Sequence, residues 1–101
     1  MTLKELLKII EDRKEKMPAG SYVASLFSAG KDQIIQKVGE EAVEVIIAAK
    51  NEGRERIISE VADLIFHLLV LLSGYNITLQ DIEKELAKRR ISLLKRKKEP
   101  V

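Results

Sequence analysis

Two long stretches of helical period, Asp32 to Lys50 and Arg54 to Ser73, are parted by nothing more than Asn51-Glu52-Gly53. Apolar residues recur in both at the three- and four-residue steps of an amphipathic helix. A link that short turns the second helix back along the first, so an antiparallel helix hairpin is the fixed centre of the fold. Further punctuation at Pro18-Ala19-Gly20, Gly30 and Gly74-Tyr75-Asn76 marks off the remaining segments. Thr2 and Glu5 stand at capping-box spacing at the head of the stripe Leu3, Leu6, Leu7 and Ile10. Ser21 can cap "YVASLFSA", which Gly30 ends. Thr78 and Asp81 form another capping pair for a last helix, "LQDIEKELAKRRISLLK". No run shows sustained strand alternation. The pattern predicts an all-α bundle of four to five helices, with residues 1–95 as a single domain and the basic end, 96–101, frayed.

Composition narrows the function classes. With 101 residues there is room for one small domain, and a domain of that size buries too little surface to be comfortable alone. A homodimer is therefore expected, with the first helix and Leu68 to Leu72 as contact surfaces. The chain has no cysteine, which excludes disulfides, thiolate zinc sites and cysteine nucleophiles. A net charge of +2, much of its excess in "KRRISLLKRKKEPV", gives no reason to expect a nucleic-acid partner. The longest nearly apolar run, Val61 to Leu72, is interrupted by Asp63 and His67 and is too short to span a bilayer. No signal-peptide core opens the chain, so a cytoplasmic protein with no membrane partner is expected.

The hairpin helices carry an unusual density of acid. With Glu40 as origin on a helical wheel, Glu44 falls at about 40°, Lys37 at about 60° and Glu41 at about 100°. Ile34, Val38, Ala42, Val45 and Ala49 flank this arc on one side, and Val43 and Ile47 on the other. The second hairpin helix repeats the theme with Glu60, Asp63 and His67 at i, i+3 and i+7 in an otherwise apolar surface. Folding the hairpin brings the two acidic stripes into one neighbourhood. Five carboxylates, Glu40, Glu41, Glu44, Glu60 and Asp63, would repel one another there, and a hard divalent cation relieves that repulsion. A solvated glutamate-rich face would be the bland explanation, but its apolar borders and the matching stripe on the neighbouring helix weigh against it.

The same residues resemble a known pattern. "GEEAVE" followed by "EVAD" matches the E-E-x-x-E…E-x-x-D signature of the MazG-like all-α nucleoside triphosphate pyrophosphatase superfamily. "SYVASLFSAGKDQIIQKVGEEAVEVIIAAK", "EVADLIFHLLVLL" and "DIEKELAKRR" together are similar to the phosphoribosyl-ATP pyrophosphatase family, over about Leu3 to Arg90. The resemblance implies hydrolysis of phosphoribosyl-ATP to phosphoribosyl-AMP and pyrophosphate, the second step of histidine biosynthesis, with Mg2+ as cofactor. It implies Glu40, Glu41, Glu44, Glu60 and Asp63 as metal-binding residues and Glu41, Glu44 and Glu60 as the catalytic set. Glu60 is then either a ligand or the group that accepts the water proton. Lys37 is placed to meet a phosphate as a point charge, and Lys31, His67 and Arg89 or Arg90 are further candidates for substrate contacts. For His67 a hydrogen-bonded core role competes with a substrate role. Ser21 and Tyr22 fit the family's early motif. "SAGKD" lacks the spacing of a glycine-rich phosphate loop, and no cysteine is present to serve the zinc-dependent cyclohydrolase that some family members carry as a fused domain.

Other readings lead to different chemistry. A MazG-like housekeeping enzyme would use the same carboxylates on other nucleotides. A di-iron bundle wants paired Glu-x-x-His motifs, and this chain has a single histidine. A non-catalytic helical module would act through dimerisation or its basic tail.

Overall fold

The computed structural model describes residues 1–95, and the expected fray at 96–101 lies outside the described residues. Among the described residues six helices follow one another: α1 (Leu3–Lys16), α2 (Tyr22–Ala29), α3 (Lys31–Asn51), α4 (Arg54–Gly74), α5 (Leu79–Lys88) and α6 (Arg90–Lys95). Among the described residues there is no strand, so the all-α expectation holds.

Local chemistry sets most of the helix starts. The Thr2 hydroxyl accepts from the Glu5 N–H at 3.1 Å, and the Glu5 carboxylate accepts from the Thr2 N–H at 3.3 Å. A cap of this kind contributes about 1 kcal/mol. Ser21 caps α2 through the Ala24 N–H at 3.1 Å. Thr78 and Asp81 reproduce the box at α5, and the Thr78 backbone N–H, donating at 2.9 Å, helps hold the Asp81 carboxyl below its ordinary pKa. Helices α3 and α4 instead begin at glycines without a side-chain cap. Gly53 sits at φ 85°, in the left-handed region, and this lets Glu52 and Gly53 alone reverse the chain.

The core lies at one end of the hairpin. Ile10 of α1, Val23 and Leu26 of α2, Ile34 of α3, and Leu69 and Val70 of α4 are buried together, with Leu6, Leu7, Phe27, Phe66 and Leu72 packed around them. Lys14 fastens α1 to the end of α4 by donating to the Ser73 carbonyl at 2.7 Å. By length and composition alone α4 could cross a membrane. It packs against α1 and α3, however, and carries the charged Glu60 and the polar His67 buried in its middle turns.

Two expectations need correction. The sequence pattern predicts an unbroken last helix through "LQDIEKELAKRRISLLK", but it breaks at Arg89 (φ −91°, ψ 3°) into α5 and α6. From Gln80 to Leu94 every residue is exposed, so no packing among the described residues holds a long helix straight, and short unsupported helices are marginal. Glu83, Leu86, Ala87, Arg90, Leu93 and Leu94, one stripe of a straight helix, line a cleft of about 430 Å³ instead. Leu68 to Leu72 do not form the open contact surface that the sequence predicts. Leu69 and Val70 are buried in the chain's own core and Leu71 and Leu72 pack on it, leaving Leu68 as the exposed member.

The Ser73 hydroxyl is fully buried and has no hydrogen-bond partner among the described residues. Ser73→Ala should therefore raise unfolding free energy by about 1 kcal/mol, through the unpaired hydroxyl removed and the better helix former gained. Urea denaturation followed by circular dichroism checks this, and a loss of stability would contradict it.

Candidate active site

Because α3 and α4 run antiparallel from Gly53, Glu41 on one helix stands beside Asp63 on the other, and Glu60 lies one turn before Asp63 on the same face. Carboxylate oxygens of Glu41, Glu60 and Asp63 all lie within 4.8 Å of one another. Glu60 is buried, Glu41 is half-buried and Asp63 is exposed, so the cluster has a floor inside the protein and a mouth in solvent.

Two cations attend this cluster. Arg56 Nη2 donates to Glu60 Oε1 at 2.7 Å, and Arg56 Nε reaches Glu52 at 3.4 Å. Lys37 Nζ stands 3.9 Å from Glu41 and 3.7 Å from Glu40. The Arg56 contact is a close hydrogen-bonded ion pair, while the Lys37 contacts are at the loose end of the range. Three carboxylates thus outnumber one firmly engaged cation. An all-oxygen donor set with a solvent-facing opening suits a hard divalent ion that keeps some of its waters.

Glu40 and Glu44 stand outside the triad. Glu40 accepts from Gln36 Nε2 at 3.0 Å, and both residues are exposed. The wheel explains the split: Glu41 lies about 100° around α3 from Glu40, so one setting of the helix turns Glu41 toward α4 and Glu40 away. Lys31 lies near the other end of the hairpin, about 15 Å of helix rise from Glu41, with its Nζ 4.5 Å from the centre of the Tyr75 ring. Arg89, at the end of α5, pairs with Glu85 at 2.8 Å. His67 is buried, with Nδ1 2.7 Å from the Asp63 carbonyl and Nε2 2.9 Å from the Tyr22 hydroxyl. The core role for this histidine is thereby filled, and any substrate contact would have to displace one of these partners.

Arg56 was not singled out from the sequence, although Glu52, Arg56 and Glu60 at i,i+4 steps were open to view. The Tyr22 contact with His67 had no local signal, because it joins residues 45 apart in the chain.

The profile of the Phosphoribosyl-ATP pyrophosphohydrolase family matches residues 3–90. The chain belongs to that family. Among relatives named "Phosphoribosyl-ATP pyrophosphatase", one from Clostridium botulinum strain Hall is 54% identical over 94 residues, covering 93% of this chain and 86% of the relative. One from Metallosphaera sedula is 55% identical, covering 86% of this chain and 94% of its own length. One from Saccharolobus solfataricus is 56% identical, covering 85% and 92%. The resemblance carried by "GEEAVE" and "EVAD" therefore holds, and as a family member the chain is a pyrophosphohydrolase, an enzyme rather than a passive helical module.

Within this enzyme Arg56 offsets the buried charge of Glu60. Arg56→Gln should cost about 1–2 kcal/mol of stability, less than for a fully buried pair because the arginine is half exposed. Thermal or urea melts without added metal provide the measurement, and an unchanged midpoint would show that solvent already screens Glu60.

Proposed function

We propose that this enzyme hydrolyses phosphoribosyl-ATP between its α and β phosphates in a Mg2+-dependent reaction, releasing phosphoribosyl-AMP and pyrophosphate, as the second step of histidine biosynthesis in the cytoplasm. Family membership supports the reaction. The oxygen cluster of Glu41, Glu60 and Asp63 is the single structural observation that carries the metal.

In this reading Glu41, Glu60 and Asp63 hold the ion, and Glu40 and Glu44 complete its acidic surround from the flank. Bound there, Mg2+ supplies neutralisation of triphosphate charge and a water of lowered pKa. Asp63, at the mouth, faces the side from which phosphate enters. Glu60 has Oε1 engaged by Arg56, which leaves its other oxygen for the ion or for the water proton. Glu44, exposed on the same arc, is the third member of the catalytic set. Lys37 is loosely paired and free to extend to a phosphate oxygen. Lys31, His67 and Arg89 are retained as substrate contacts of lesser weight, since each is already engaged elsewhere.

A pyrophosphate-release assay on phosphoribosyl-ATP tests the proposal. Release should require Mg2+ and stop with excess chelator, and Glu41→Gln should lower kcat about 100-fold or more, as loss of a metal-orienting group does. Cleavage of ordinary or damaged nucleotides in place of phosphoribosyl-ATP would overturn the substrate, and full activity in chelator would overturn the metal.

The working form in this proposal is a homodimer. The radius of gyration is 16.0 Å, against about 13 Å for a compact chain of this length. Val43, Ile46 and Ile47 on α3 and Ile58 on α4 leave apolar surface open on the half of the hairpin beyond the core. A second copy laid against that surface would bury it beside the acidic cluster. Sedimentation should give a dimer mass, and Ile46→Glu should shift it toward the monomer with loss of activity. A fully active monomer at assay concentration would rule this out.

A further inference from the structure

His67 is a buried ionisable side chain that the metal chemistry leaves unused. Its hydrogen bonds fix its tautomer. A carbonyl can only accept, so the 2.7 Å contact with the Asp63 carbonyl places the hydrogen on Nδ1. In the neutral ring Nε2 is then a lone pair, and the Tyr22 hydroxyl donates to it at 2.9 Å.

Tyr22 is therefore held in an unusual way. A half-exposed tyrosine ordinarily buries its ring and turns its hydroxyl to water. Here the hydroxyl points inward to a buried histidine, while the residue as a whole is 50% exposed. Phe66 backs the ring at 6.0 Å and 25°, and His67 meets it edge-on at 5.8 Å and 80°. The result is an aromatic ring braced against Phe66 and His67 of α4, in a residue half open to solvent. The brace ends at His67, four residues or about 6 Å of helix rise from Asp63, a member of the carboxylate cluster.

We propose that the open surface of Tyr22 is the platform on which the substrate's adenine ring stacks while its phosphates reach the carboxylate cluster, and that Tyr22 selects for adenine substituted at N1. This rests on the reaction proposed above. Substitution at N1 converts the base to an imine, which protonates to an amidinium with its charge spread over N1, C6 and N6. A flat cation gains attraction to the face of a tyrosine that unsubstituted adenine lacks. His67 acts as a positioning residue that keeps the ring from turning its hydroxyl outward.

Steady-state pyrophosphate release by wild-type enzyme, Tyr22→Phe and Tyr22→Leu tests the platform. Tyr22→Leu should raise KM for phosphoribosyl-ATP about tenfold, the size of a lost base–aromatic stack. Its kcat should stay within about threefold of wild type, because binding lost equally in ground and transition states leaves kcat alone. Tyr22→Phe, which keeps the ring, should raise KM by no more than about threefold. The preference for phosphoribosyl-ATP over ATP as competitor should narrow in Tyr22→Leu. A second readout does not depend on that variant folding. The chain has two tyrosines and no tryptophan, so Tyr75→Phe leaves Tyr22 as its sole strong fluorophore. Saturation with phosphoribosyl-AMP should quench its emission. A wild-type KM in folded Tyr22→Leu, or unquenched emission at saturation, overturns the platform while the reaction stands. A wild-type enzyme that releases no pyrophosphate from phosphoribosyl-ATP overturns both.

Discussion

The structure depends on holding three carboxylates within 4.8 Å of one another across the seam of a helix hairpin. At an effective dielectric of about 20, each such pair repels by about 3 kcal/mol or more. A small domain has about 5–15 kcal/mol of total stability, so three repulsions of that size could not stand unanswered. Arg56 at 2.7 Å from Glu60 answers part of it, and the solvent around Asp63 screens another part. The core answers the rest indirectly. Ile34, Leu69 and Val70 clamp the far end of the hairpin and fix the rotation of both helices, so the carboxylates cannot turn apart.

How much of this was legible depended on whether a feature was local. Thr2–Glu5, Ser21 and Thr78–Asp81 announce helix starts because a cap is made within a few residues. Gly53 announces the hairpin because only a residue at ease with positive φ can reverse the chain in so few steps. Glu60 and Asp63 share a face by helical spacing alone. The membership of the cluster was harder. Glu40, Glu41 and Glu44 span an arc too broad to converge on one point of α4, and the choice of Glu41 is made by core packing elsewhere. The break at Arg89 has no glycine or proline to signal it. It follows from what the arm lacks beneath it, and a linear pattern does not show that.

The division of labour along the hairpin explains why the same helices are well covered at one end and open at the other. Near Ile34 and Leu69 the helices are wrapped by α1 and α2, and their polar stripe ends at His67, which is satisfied inside the fold. Toward Gly53 no further helix among the described residues packs over them, because the chain goes on to build α5 at the opposite end. The acidic cluster lies at the boundary between these halves. On the covered side Tyr22 and His67 shape its neighbourhood, and on the open side Val43, Ile46 and Ile58 do.

In the proposed dimer that placement would link the chemistry to assembly. A site enclosed wholly by one small domain would need more helices around the hairpin than the described residues place there. A site left wholly in solvent would hold its ion and phosphates at high dielectric, where charge complementarity is weak. A copy seated on the open half would lower the dielectric beside Glu41 and Asp63 and bury apolar surface at about 25 cal/mol per Å². In the proposed dimer, the stability that the acidic seam withholds from the monomer would be recovered at the interface. In this arrangement the acidic cluster and the uncovered isoleucines would be two consequences of one choice, which is to place the proposed site where the domain's own core runs out.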